Sequence, residues 1–153
     1  PSVIELVKKS GYPGMKILQF AFDSREESDY LPHNYTHNCV VYTGTHDNDT
    51  VMGWYDTLKG ADKKLCDDYL RLKNADGEPI PREQLPWEFV RAAMSSVADL
   101  AIIPMQDYLG LGSEARINIP STLGINWKWR MGNGDFTKEL AGRIRSMTKL
   151  YGR

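Results

Sequence analysis

The chain has 153 residues, enough for one ordinary domain with a core of its own. Hydrophobic residues make up 41% and charged residues 25%, close to globular averages, so disorder is not the expectation. A formal net charge of −1 provides no field that would attract nucleic acid or an anionic membrane, so neither is expected as a partner.

The chain opens on Pro1 rather than Met, which fits either a removed initiator or a cut from something longer. No basic-then-apolar leader follows, and a cytoplasmic location is expected. Val3, Ile4 and Val7 give Ser2 to Lys9 the spacing of a short helix, which Gly11, Pro13 and Gly14 stop. Met15 to Phe22 is apolar apart from its lysine and glutamine and reads as a strand buried on both faces of a parallel sheet. A polar loop from Asp23 to Asn38 leads to a second buried strand, Cys39 to Thr43. Cys39 and Cys66 are too few for a disulfide scaffold and suit a reducing compartment. After the polar turn Gly44 to Thr50, helical spacing runs from Val51 to Leu58, from Asp62 to Lys73, and from Trp87 to Val97, with a turn-rich stretch at Asn74 to Pro86. Leu100 to Met105 predicts a third buried strand, too short to span a bilayer. Gln106 to Arg130 reads as irregular, and Phe136 to Tyr151 as a closing helix capped by Thr137. Strands alternating with helices predict an α/β fold around a parallel sheet. Three strands would leave edges unpaired and one face uncovered, a second sign that the chain is incomplete.

Polar groups gather after each strand: Asp23 and Pro32-His33-Asn34 after the first, His46-Asp47-Asn48-Asp49 after the second, Gln106-Asp107 and then Asn118 after the third. In a parallel barrel such loops meet at one face, where active sites lie. Phe20, Phe22, Tyr42, Trp54, Tyr55, Trp127 and Trp129 are interspersed. Carboxylates, amides and aromatic faces together suit a sugar, although caps and core aromatics would account for the same residues. Asp47 is expected to point into the site, whereas Asp49 sits better as the cap of the helix that follows.

Other motifs are weaker. Gly110-Leu111-Gly112-Ser113-Glu114-Ala115 matches the dinucleotide fingerprint, but Asn118, Pro120 and Gly124 oppose the helix it needs. Asp47-Asn48-Asp49 starts like a calcium loop, with Met52 where that loop needs glycine. His33, His37, His46 and Asp47 follow no standard zinc spacing, so no metal is expected. Asn34-Tyr35-Thr36 and Asn48-Asp49-Thr50 are sequons without an export signal. A non-catalytic carbohydrate-binding α/β domain and a nucleotide-binding α/β domain stay open on these patterns.

Five stretches carry a resemblance: Pro13-Gly14-Met15-Lys16-Ile17-Leu18-Gln19-Phe20-Ala21-Phe22-Asp23, Leu31-Pro32-His33-Asn34-Tyr35, Tyr42-Thr43-Gly44-Thr45-His46-Asp47-Asn48-Asp49-Thr50, Ile103-Pro104-Met105-Gln106-Asp107 and Asn126-Trp127-Lys128-Trp129-Arg130. In order and over nearly the whole chain, they resemble the amylomaltase (4-α-glucanotransferase) family, glycoside hydrolases related to α-amylases. The resemblance implies a (β/α)8 TIM barrel, with these strands as its sixth to eighth and residues 1–153 as a C-terminal portion of the catalytic barrel without a second domain. It implies transfer of α-1,4-glucan segments between maltooligosaccharides or starch- and glycogen-derived acceptors by a retaining double displacement, without a cofactor. Asp47 aligns with the aspartate that stabilises the distorted sugar, and His46 with a residue that hydrogen-bonds the sugar beside it. Asp23, His33 and Asn118 look like further sugar contacts. Nothing in the chain resembles the family's nucleophile or acid/base motifs, so the chain is expected to be a fragment, inactive without the remainder of the barrel. Pro120-Ser121 stands where the family often has Pro-Gly, and Ile125-Asn126-Trp127 where it usually has Gly-Asn-Trp.

Overall fold

A computed structural model describes residues 2–153. Three short strands, β1 (Gly14–Ile17), β2 (Cys39–Tyr42) and β3 (Leu100–Ile102), form one sheet in the order β1-β2-β3. All neighbours are parallel, as the alternation of strands and helices predicts. The register aligns Met15 with Val40 and Leu100, and Ile17 with Tyr42 and Ile102. Because side chains alternate across a strand, these six share one face. Cys39, Val41 and Ala101 share the other, where they pack on Tyr35, Ala93 and Ala98.

Among the described residues there are six α-helices: α1 (Ser2–Ser10), α2 (Val51–Thr57), α3 (Gly60–Leu70), α4 (Leu85–Met94), α5 (Met105–Leu109) and α6 (Lys138–Leu150). Central among them is α4, in contact with α2, α3, α5 and α6. On one side Phe89 is fully buried, and its ring meets Phe22, Trp54 and Tyr55 edge-on at centroid distances of 5.9–6.3 Å. Leu18, Val51, Met52, Cys66 and Leu70 belong to the same cluster. On the other side Trp87, Val90 and Met94 receive Leu140, Ile144 and Met147 of α6. Arg143 lies 3.8 Å above the Trp87 ring. The guanidinium of Arg153 donates to the carbonyls of Met94, Ser96 and Ala98 beyond the end of α4.

Burial raises the thiol pKa of both Cys39 and Cys66, which lie in separate clusters. The outer sheet face is largely uncovered: Met15 is 58%, Leu100 50% and Ile102 41% exposed. α1 buries no residue and leaves Val3, Ile4 and Leu6 in solvent. Among the described residues, no helix is long and apolar enough to cross a membrane.

The helices expected at Asp62 to Lys73 and Trp87 to Val97 begin two residues earlier and end three residues earlier, and the structure departs further from the expectation in three places. The apolar run from Met15 to Phe22 leaves the strand after Ile17 and winds into a 3-10 turn, Leu18–Ala21. The turn buries Leu18, Gln19 and Ala21 under the helices. The third strand stops at Ile102, and Pro104, at φ −57, starts α5 inside a stretch expected to be irregular. The cap of α2 is Thr50, whose hydroxyl accepts from Gly53 N at 3.1 Å, and not Asp49. Thr137 caps α6 as expected, accepting from Leu140 N at 3.1 Å.

Candidate functional site: a His-Asp turn at the carboxyl end of the sheet

β2 ends at Tyr42, and the chain turns sharply. Asn48 N donates to Thr45 O at 3.1 Å, which closes a tight turn with His46 and Asp47 as its two central residues. Asn48 Oδ1 accepts from Thr45 N and Thr45 Oγ1 at 2.9 and 2.7 Å and locks the turn from inside. The side chains of His46 and Asp47 therefore stand at the tip, each about half exposed. Gly44 lets the loop pass Gln19, whose amide would lie 2.6 Å from any Cβ placed there. That amide instead donates to Asp49 O at 2.9 Å.

The segment after β3 meets this turn. Asn118 Nδ2 donates to Asp47 Oδ1 at 2.5 Å, across 71 positions of sequence. Arg116 ties the two together through their backbones, donating to Asp47 O at 2.7 Å and to Asn118 O at 2.9 Å. His46 Nε2 lies 3.2 Å from the same Asp47 Oδ1, and its ring packs on Trp127 at 5.2 Å. Trp127 has φ 63, in the left-handed region that a bulky residue enters at a cost of order 1–3 kcal/mol. A cleft of about 450 Å³ runs from the turn along the open sheet face, past Met15, Tyr42, Ile102 and Ile117. One wall is polar and half exposed and the other apolar. Oδ1 of Asp47 receives both contacts and Oδ2 neither, so the carboxylate can still face a developing positive charge.

Of the five candidate residues, His46, Asp47 and Asn118 converge here, and Asp23 and His33 make their contacts elsewhere. Arg25 donates to both oxygens of Asp23 at 2.8 and 2.6 Å and holds that carboxyl down at about 2. Asp23 lines a separate depression with Phe20, Tyr30 and Asn34. His33 Nδ1 is 3.0 Å from Tyr69 Oη, and its ring packs on that tyrosine. Arg116 was not singled out by spacing, because a lone arginine in an irregular stretch carries no periodic signal. Trp127 was visible as one aromatic among several and as part of the Asn126–Arg130 stretch of the resemblance, without a partner assigned to it. Gly110, at φ 66, closes α5, and Ser113–Ala115 form a single 3-10 turn where a dinucleotide site would open a helix. Among the described residues, no three His, Cys, Asp or Glu side chains converge in a way that could hold a metal ion.

The sequence pattern of the 4-alpha-glucanotransferase family matches residues 1–135. The chain belongs to this family. Among 4-alpha-glucanotransferases, that of Clostridium butyricum is 49% identical over 151 residues, spanning 98% of this chain and 30% of its own length. The 4-alpha-glucanotransferase, chloroplastic/amyloplastic, of Solanum tuberosum is 47% identical over 154 residues, 99% of this chain and 26% of its own. The structure of the amylomaltase from Streptococcus agalactiae in complex with acarbose superposes with a TM-score of 0.89 at 35% identity, covering 99% of this chain and 30% of that one. The chain thus spans about 30% or less of the length of these 4-alpha-glucanotransferases.

Proposed function

We propose that this chain forms part of the active site of a 4-α-glucanotransferase that moves α-1,4-glucan segments between maltooligosaccharides or starch- and glycogen-derived acceptors. The observation that carries the reading is the union of His46, Asp47 and Asn118 at the carboxyl end of a parallel sheet, beside a cleft with one apolar wall. In a barrel, that end of the sheet holds the catalytic groups. The three strands stand as the sixth to eighth of a (β/α)8 barrel, and residues 1–153 as a C-terminal portion of its catalytic domain. The bare face of Met15, Leu100 and Ile102 then lines the barrel interior beside the remaining strands.

In this reading Asp47 stabilises the positive charge that develops on the sugar ring as the glycosidic bond breaks, which is where a fixed carboxylate contributes most. Asn118 holds Oδ1 by donating to it, and His46 hydrogen-bonds the sugar next to the carboxylate. Asn118, Asp23 and His33 bind sugar hydroxyls, the last two on residues further along the glucan. Retaining transfer also needs a nucleophile and an acid/base about 5–5.5 Å apart, and Asp47 is neither. These 153 residues therefore act only together with the remainder of the barrel. Acarbose in the streptococcal amylomaltase is consistent with a glucan-shaped ligand.

The test is incubation of the full-length protein with maltotriose. Appearance of glucose together with longer maltooligosaccharides supports transfer, whereas glucose and maltose alone would indicate hydrolysis. If maltooligosaccharides bind without any turnover, the alternative of a non-catalytic carbohydrate-binding domain takes over.

A further inference from the structure

Asp107 is a carboxylate almost wholly removed from solvent, at the start of α5, and no step of the proposed transfer uses it. Its two oxygens divide their work. Oδ2 takes the hydroxyl of Thr43 at 2.5 Å, and Oδ1 takes the backbone N–H of Val51 at 2.8 Å. Thr43 is the last residue before the Gly44–Thr50 loop and Val51 the first after it, and both are fully buried. A single side chain from the β3 end of the sheet thus grips both stems of the loop that carries Asp47.

We propose that Asp107 is a positioning residue for Asp47, its carboxylate fixing the two stems of the Gly44–Thr50 loop so that the His46-Asp47 turn is held against Asn118. The surrounding bonds agree with this. Asp49 Oδ2 accepts from Ser113 at 2.6 Å, and Arg116 holds the Asp47 carbonyl, so the far side of the loop is fastened by the same post-β3 segment. None of these bonds reaches Thr43 or Val51; besides Asp107, the ties beside the stems are Gln19, from its N to Thr43 O at 3.3 Å and from its amide to Asp49 O at 2.9 Å, and the Thr50 cap of α2. Burial favours the neutral acid and outweighs the bonds from Thr43 and Val51, which favour the carboxylate; with a further push from the charge of Asp49, Asp107 is lifted to about 6. Either form can keep both bonds: the carboxylate accepts from Thr43 and Val51, and the acid donates to Thr43 while accepting from Val51.

This inference rests on the assignment of Asp47, and the test separates the two. In the full-length protein, Asp107→Ala, Asp107→Asn and Thr43→Val are compared with Leu70→Ala, a core truncation in the Phe89 cluster that leaves the loop's bonds alone. The readouts are amide hydrogen exchange of residues 45–51 and of α6, and kcat and KM for maltotriose. Asp107→Ala should speed exchange at 45–51 at least tenfold with α6 unchanged, and lower kcat ten- to a hundredfold with KM within about threefold. Thr43→Val, which cuts one tie only, should show a smaller change of the same kind. Asn can donate to Thr43 and accept from Val51, so Asp107→Asn should restore kcat to within about threefold of the parent. Unchanged exchange at 45–51 in both Asp107→Ala and Thr43→Val, or a kcat loss in Asp107→Ala no larger than in Leu70→Ala, would overturn the proposal. Faster loop exchange combined with normal turnover in Asp47→Asn would leave the clamp standing and remove the catalytic assignment instead.

Discussion

Replacing Asp47 by Asn separates a catalytic carboxylate from a structural one, because the fold asks little of this side chain. The loop backbone is held by Thr45, Asn48, Asp49 and Arg116, none of which bonds the Asp47 carboxylate. The carboxylate's own contacts are Asn118 and His46; Asp47 and His46 are about half exposed and Asn118 is half-buried, a setting in which such pairs contribute about 0–1 kcal/mol. Asn preserves the volume and an oxygen for Asn118 Nδ2 to donate to. The melting temperature of Asp47→Asn should therefore stay within about 4 °C of the parent, taking a loss of 1 kcal/mol at most in a protein of 150 residues or more. The effect on rate should be far larger. Losing 4–6 kcal/mol of charge stabilisation at the oxocarbenium-like transition state slows kcat by about 10³–10⁴, since 1.36 kcal/mol is tenfold. Affinity for maltooligosaccharide should change much less, because the charge develops only as the bond breaks. The assay is glucose release from maltotriose by the full-length protein, with calorimetric melting on the same preparations. Near-normal turnover together with a melting temperature lowered by 8 °C or more would refute the reasoning and make Asp47 a structural residue.

Three further outcomes follow from the same contacts. Thr50→Ala removes the hydroxyl that caps α2 and should cost about 1 kcal/mol by denaturant titration, whereas Asp49→Ala should act through its loss of Ser113. Ser121→Gly should raise stability by about 0.5–1 kcal/mol, because Ser121 sits at φ 65 where a side chain is strained; an unchanged midpoint would show that the loop relaxes in solution. The pH dependence of Asp107 has a definite sign. Its folded pKa of about 6 lies above the model-compound value of 3.8, so the folded state binds the proton more tightly and this group's contribution to stability falls as pH rises from about 4 to 6. Asp107→Asn abolishes that titration, so the stability of the variant relative to the parent should improve across this window, by up to about 3 kcal/mol; a constant difference between the two would count against the shift.

The parallel sheet was legible because buried strands flanked by helices leave few other solutions, and Cys39 to Thr43 and Leu100 to Met105 were near-continuous apolar runs. Their ends were not legible. Leu18 and Ala21 are as apolar as strand residues, and only packing under α2 and α4 turns them into a 3-10 turn. Pro104 marks the start of α5, but a helix of five residues has no periodicity to detect. Asp49 and Thr50 are adjacent and equally able caps, and the choice fell to Thr50 because Ser113 engages the Asp49 carboxylate. His46 and Asp47 were readable as a polar turn after a strand. Asn118 was readable as a polar residue after the third strand and through the family resemblance, but its bond to Asp47, across 71 positions, was not. Asp107 was visible among the polar residues after the third strand, but its grip on both loop stems is a property of the folded chain. The departure at Ser121 now has a physical meaning: the family's glycine suits the positive φ that serine adopts here.

The two native thiols offer a built-in reporter. Cys39 lies in the cluster beneath the sheet and Cys66 in the aromatic cluster around Phe89, each sealed from solvent and each kept from its reactive thiolate by burial. Alkylating reagents can reach either sulfur only when its own cluster opens. Mass-resolved labelling therefore times the opening of these two clusters independently without an engineered probe. Equal labelling rates would mean that the two clusters open together, and unequal rates would identify which one loosens first.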